Sequence, residues 1–439
     1  MRKFAFIGAG SLQFTATTMK DLLTFPSFRD CEIALMDVNE KNLERIYKVC
    51  LKIREAMNCP NCKITLTANR AEALKNADGV LCTVFNGDLD VWRYDIEIPK
   101  KYGVNINVGD TRSISGIFRA IRNIPLMLDI CRDIEKYCPK AVFLNYTNPM
   151  SMLCSAMQKY TNVTVTGLCH SVQHTAEMLS SWLNVPKDEI DYLCAGVNHQ
   201  AFYLKLEHNG ENLYPGLREL IKNDRKYYDI EQVRNEMFLQ LGYYVTESSG
   251  HNSEYNQWFR KRPDLIEKYC THGTGWNPGE YAFSLRLREE RRKNPEKQYN
   301  EWLEKPVNTQ KSPEYAADIF NATIGDGKPF VFNGNVCNRG SIPNLPYDAC
   351  VEVPVVADRF GFKTTIVGPL PDHLAILVNT TARMESLVVD SVMKRDKEGI
   401  YRAVFMDPLC SAVCSLEEMR KMTDELFEIN REFTKDLFD

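Results

Sequence analysis

Short apolar runs alternate with stretches of helical spacing over the first 170 or so residues. The runs are 3–7, 33–36, 64–67, 79–84, 141–145 and 163–169. Between them, Leu12–Leu23, Glu40–Ala56 and Ala71–Asn76 place apolar residues three and four apart, the period of a helix with one buried face. Apolar strands separated by helices predict right-handed βαβ units and a parallel sheet covered on both faces. The fold class expected is α/β, with a doubly wound N-terminal domain over residues 1–195.

After Gly196 the pattern changes. Residues 202–207 alternate apolar and polar positions and end at His208-Asn209-Gly210, which reads as an antiparallel strand and turn. Polar helical stretches follow at 224–242 and 278–305, with strand-like runs at 330–332, 350–356 and 364–367. A long helix is expected over 374–394, then a charged helical tail. Residues 196–439 are therefore expected to form a mixed α+β domain.

Composition narrows the partners. A net charge of −4 gives no reason to expect nucleic acid or an anionic membrane. No segment reaches the eighteen or so continuous apolar residues of a membrane span. Fifteen cysteines without disulfide-like spacing read as reduced thiols, so a cytoplasmic protein is expected. Cys59-Pro60-Asn61-Cys62 is a lone CxxC and reads as a loop, because zinc would need a second ligand pair.

Gly8-x-Gly10-x-x-Gln13 directly follows the first strand and opens the first helix. Glycines there permit a tight turn and close approach of the backbone to a pyrophosphate, with Ser11 at the helix start. Asp37, ending the second strand, would hydrogen-bond an adenosine ribose and disfavour a 2′-phosphate. Together these predict a Rossmann-like site for NAD, built from Gly8, Gly10, Ser11 and Asp37. The third glycine of the fingerprint is replaced by Gln13.

Cys169 ends a predicted strand, where doubly wound sheets place their ligands. His199 follows thirty residues on, past Gly196. A thiolate and an imidazole meeting at a domain junction suit Mn, Fe, Co or Zn. Either residue alone would be unremarkable, since buried cysteines usually act as small hydrophobes.

Six segments occur in order: Gly8–Ser11, Asn145–Met150 (NYTNPM), Gly167–Gln173 (GLCHSVQ), Gly196–His199 (GVNH), Tyr243–Ser249 (YYVTESS) and Ile342–Pro346 (IPNLP). Together they closely resemble glycoside hydrolase family 4, in particular its α-galactosidase (melibiase) branch, over essentially the whole chain. Cys-His-Ser at 169–171 resembles branches acting on unphosphorylated sugars. The resemblance implies hydrolysis of α-hexosides, chiefly α-galactosides, with NAD and a divalent metal, Mn by preference. The implied route is oxidation at C3, loss of the C2 proton, elimination of the aglycone, addition of water and re-reduction. It further implies Cys169 and His199 as metal ligands, Asn148 as a substrate contact and Tyr255 as the base for the C2 proton.

Two departures from the family pattern stand out. His170 occupies the place of an aspartate proposed elsewhere as the leaving-group acid. Arg112-Ser113-Ile114-Ser115-Gly116 replaces a Leu-Gly-Pro-Gly-Gly loop expected near the sugar, which bears on galactose specificity. Asp110 beside it is a further candidate catalytic acid or base. The partner expected is a small-molecule α-glycoside, and the assembly a homo-oligomer, dimer or tetramer. An α-glucosidase or uronidase would share the mechanism. A plain NAD-dependent dehydrogenase would share the N-terminal fold, and a catalytically dead sugar or NAD sensor would lack the intact Cys169, His199 and Asn148.

Overall fold

The computed structural model describes residues 1–271 and 277–438. Its strands are β1 (Lys3–Ile7), β2 (Glu32–Met36), β3 (Lys63–Thr67), β4 (Gly79–Cys82), β5 (Val142–Asn145), β6 (Thr164–Gly167), β7 (Ile190–Val197), β8 (Gln200–His208), β9 (Glu211–Asn212), β10 (Phe330–Cys337), β11 (Cys350–Asp358) and β12 (Gly361–Thr364). All join one sheet in the order β3-β2-β1-β4-β5-β6-β10-β11-β7-β8-β9, with β12 paired to β11. The first six run parallel. From β10 onward the neighbours are antiparallel, as the alternating pattern of the second half predicts. β7 runs across the 195/196 division, and the sheet continues through it.

The helices of the first half are α1 (Leu12–Leu22), α2 (Glu40–Ala56), α3 (Arg70–Leu74), α4 (Leu89–Lys101), α5 (Ser113–Tyr137), α6 (Met150–Tyr160) and α7 (Ser171–Leu183). The periodicity predicts the first three and misses α4, α5, α6 and α7. α5 is the reason in miniature: every residue from Ser113 to Ile124 is buried, so no polar stripe marks the helix period. β12 also begins earlier than the expected 364–367. Asp358 pairs with Gly361, so the chain turns back through two residues, Arg359 and Phe360, at the start of the ladder.

Two details position the site. β6 ends at Gly167, so Leu168 and Cys169 leave the ladder at the carboxyl end of the parallel sheet. Asn335 of β10 pairs with Gly167, and Glu352 of β11 pairs with Gly196. The antiparallel half is thereby joined to the strand ends that carry Cys169 and His199. Among the described residues, no helix is long and apolar enough to cross a membrane, and the cysteines are unbridged.

Candidate active site

A cavity of about 850 Å³ lies along the carboxyl ends of β1, β2, β4, β5 and β6, where open α/β sheets bind ligands. At one end, Gly8 has φ +83°, and a Cβ there would stand 2.7 Å from the Thr83 carbonyl oxygen. A Cβ on Gly10 would stand 2.7 Å from Asp37 Oδ2. Both positions therefore exclude side chains and leave main chain facing the cavity. Asp37 lines the same wall, but its carboxylate already accepts hydrogen bonds from the N–H groups of Gly10 (2.8 Å) and Asn39 (2.9 Å). It braces the turn as well as presenting an edge to the cavity. Ser11 lines the cavity at the start of α1.

At the other end Cys169, His199 and Glu247 bring a sulfur, a ring nitrogen and a carboxylate oxygen within 4.8 Å of one another. Glu247 Oε2 is 3.3 Å from His199 Nε2 and 4.0 Å from Cys169 Sγ. His199 Nδ1 lies 3.2 Å from the Tyr255 hydroxyl, which leaves Nε2 toward Glu247. His251 completes the surround, with Nδ1 3.2 Å from Glu247 Oε1 and Nε2 3.8 Å from Asp110 Oδ1.

The electrostatics suit a cation. Burial would raise Glu247, but His251, His199 and His170 outweigh it and hold the carboxyl down at about 2. Burial drops the His199 imidazole to about 4 despite the pull of Glu247. Burial and the Glu247 charge push the Cys169 thiol well above its ordinary range. The pocket thus offers an ionised carboxylate and a neutral imidazole, with a thiol that a bound dication would deprotonate.

Asn148 donates from Nδ2 to Asp110 Oδ2 at 3.4 Å, and both residues line the cavity. Burial acts to raise Asp110, but His251, Arg119, His199 and the Thr111 hydroxyl hold it below the usual carboxylate range. His170 sits at the rim with a 44% exposed side chain, 3.9 Å from Glu314 Oε1. Tyr255 is placed differently. It is 1% exposed, stands behind His199 rather than in the cavity wall, and burial with the nearby Asp110 pushes its phenol well above 10.

Nine of the ten sequence candidates thus line one cavity, and Tyr255 touches it through His199. Sequence reasoning missed Glu247 and His251. Glu247 lies within the Tyr243–Ser249 segment, but a glutamate in a polar stretch carries no signal of its own. Two of the three cluster residues carry backbone strain: His199 and Glu247 take φ of 63° and 68°. Each costs about 1–3 kcal/mol for a residue other than glycine.

The Arg112 loop is also corrected. Of residues 110–116 only Asp110 lines the cavity. Arg112 points away from it, into the protein behind Tyr255.

Two sequence models fit this chain in succession: the family 4 glycosyl hydrolase over residues 3–185 and its C-terminal domain over 194–410. An alpha-galactosidase of Rhizobium meliloti (strain 1021) is 38% identical over 432 residues, 97% of this chain and 87% of that protein. One from Bacillus subtilis (strain 168) is 37% identical over 438 residues, 97% of this chain and 98% of its own. A solved 6-phospho-alpha-glucosidase from gut microorganisms, in complex with NAD and Mn2+, superposes with a TM-score of 0.81 at 19% identity, covering 98% of each chain. The glycine turn, the Cys169–His199–Glu247 cluster and these full-length likenesses lead to one conclusion: the chain belongs to the family 4 glycosyl hydrolases.

Proposed function

We propose that this protein hydrolyses unphosphorylated α-galactosides with NAD and a divalent cation, Mn2+ by preference. The observation that carries the reading is the Cys169–His199–Glu247 cluster at one end of a cavity whose other end is the Gly8–Gly10 turn. The donor set fits the ion, because the carboxylate is ionised and the imidazole neutral. The turn fits a dinucleotide, because neither glycine has room for a side chain and both leave main chain facing the cavity. When bound, NAD supplies a reversible oxidation at C3 of the sugar, and the cation supplies a Lewis acid beside it.

The chain's own residues do the rest. Asn148 offers a sugar hydroxyl its side-chain oxygen, a buried atom that has no partner among the described residues. His170 at the rim donates a proton to the departing aglycone oxygen. In line with the resemblance, Tyr255 would accept the C2 proton as its phenolate, after its own proton has passed to His199 Nδ1, which its hydroxyl already meets at 3.2 Å. A second reading gives that proton to Asp110, which lines the cavity where Tyr255 does not. Asp37 favours NAD over NADP by setting a carboxylate where a 2′-phosphate would stand.

A panel of nitrophenyl α-hexosides, assayed with NAD⁺, Mn2+ and a thiol reductant, tests the proposal. The α-galactoside should turn over fastest, ahead of the α-glucoside and α-galacturonide. Turnover that survives exhaustive chelation and removal of nucleotide would overturn it.

A further inference from the structure

The guanidinium of Arg112 is buried, at 2% exposure, and touches three groups at once. Nε donates to Glu385 Oε1 at 3.1 Å. Nη2 donates to the carbonyl oxygen of Asn198. The guanidinium carbon lies 4.8 Å from the centre of the Tyr255 ring. The last two groups are what His199 hangs from: Asn198 supplies its preceding peptide, and the Tyr255 hydroxyl meets its Nδ1. His199 itself takes a φ of 63°, a region that a side chain beyond glycine enters only when its surroundings hold it.

We propose that Arg112 is a positioning residue for His199, setting the imidazole's place and tilt through the Asn198 carbonyl on one side and the Tyr255 ring on the other. The inference rests on reading Cys169, His199 and Glu247 as the seat of a divalent cation. A planar fork suits the task, because it reaches a carboxylate and a carbonyl in one plane while its face lies on an aromatic ring. An ammonium can do one of these at a time. Nη1 finds no partner among the described residues, and a buried donor left unmade is costly. A plain strut between α5 and the helix Asp372–Lys394 would be better served by apolar packing. What the costly group holds in place is the ligand.

The test uses the full-length protein stripped of metal. Mn2+ binding is read from the electron paramagnetic resonance signal of the free ion, alongside NAD affinity and melting temperature. Arg112→Leu should weaken Mn2+ about 10–100-fold, the usual cost of losing an outer partner of a metal ligand, with NAD affinity unchanged. Arg112→Lys should fall between it and the wild type. Arg122→Met, which breaks a fully buried pair with Asp95, is the control: it should lower the melting temperature and leave Mn2+ affinity alone.

Arg112→Leu binding Mn2+ as tightly as the wild type would overturn the inference. So would an equal loss in Arg122→Met at a similar drop in melting temperature. If Arg112→Leu does not fold, Arg112→Lys decides the matter, and wild-type Mn2+ affinity there overturns it. A wild-type protein that takes up no Mn2+ at all would overturn the metal reading itself, a different outcome from any shown by the variants.

Discussion

At the Gly8–Gly10 end of the cavity the groups on offer are main-chain atoms of one turn and the Asp37 carboxylate that braces it. At the Cys169 end they are side chains from four distant segments. The first end is shaped chiefly by the parallel sheet, through glycines and a bracing carboxylate, with the Tyr299 hydroxyl donating to the Gly10 carbonyl oxygen at 2.9 Å. The second exists only where β10, β11, β7 and β8 bring the other half of the chain alongside β6. A backbone site needs a local conformation, and a few residues specify it. A side-chain site needs several segments placed to within about half an ångström, at the cost of strained φ angles and buried charges. Perturbation should therefore separate the two ends: changes at the second should abolish ion binding and leave nucleotide binding intact.

The sharpest separation is expected from Glu247→Gln. The amide keeps the shape and removes the one ligand already ionised. Mn2+ affinity should fall by more than the roughly 10–100-fold that an outer partner costs, and turnover should drop to background. NAD binding, followed by fluorescence, should not change. Wild-type Mn2+ affinity in the Glu247→Gln enzyme would remove this residue from the cluster.

Next in size are the two candidates for the C2 proton, since a positioned base contributes about 10²–10⁴-fold. Tyr255→Phe should lose that much in kcat while KM and NAD affinity hold. Hydrolysis in D₂O should place deuterium at C2 of the released sugar. If Tyr255→Phe is as fast as the wild type and Asp110→Asn is dead with both ligands bound, the base is Asp110, and Tyr255 serves to hold His199.

How much of this the sequence discloses follows the same division. Gly8, Gly10 and Asp37 can be read because strand, turn and helix are contiguous and each carries a local pattern. Cys169 and His199 can be read as types at strand ends, and their pairing comes from the resemblance rather than from spacing. Glu247 and His251 cannot, because their positions depend on a left-handed turn and on β8 meeting Val245, neither of which leaves a periodic trace. α5, which carries Arg112 as its N-cap, is hidden by its own burial. The parallel half is legible because its strands are continuously apolar; the joining of β10 to β6 is a long-range pairing that local periodicity does not encode.

A smaller effect is expected at the nucleotide end. Asp37→Ala removes the acceptor for the Gly10 and Asn39 amides together with the proposed ribose contact. Charge-assisted hydrogen bonds are worth about 1.5–3 kcal/mol each, so NAD affinity should fall about tenfold or more while Mn2+ affinity holds. Preference for NAD over NADP should narrow as well. Equal use of both cofactors by the wild-type enzyme would end the selective role assigned to Asp37.

The smallest expected effect is a slope. His199 is held down at about 4 by burial, and Glu247 at about 2 by the surrounding imidazoles, so between about pH 6 and 8 neither carries a proton that a cation must displace. Cys169 does, because burial and Glu247 keep its thiol well above the usual range. Each ion bound should release one proton, and apparent Mn2+ affinity should rise about tenfold per pH unit across that interval. Cys169→Ser should bind weakly with a flat profile, since a serine hydroxyl does not ionise there. The backbone amides that meet the nucleotide have no proton to give up, so NAD affinity should stay level over the same range. A flat Mn2+ profile in the wild type would mean that the thiol is not a ligand, and would leave the ion to His199 and the carboxylates. A steep NAD profile would instead erase the contrast between the two ends, since both would then depend on titrating side chains.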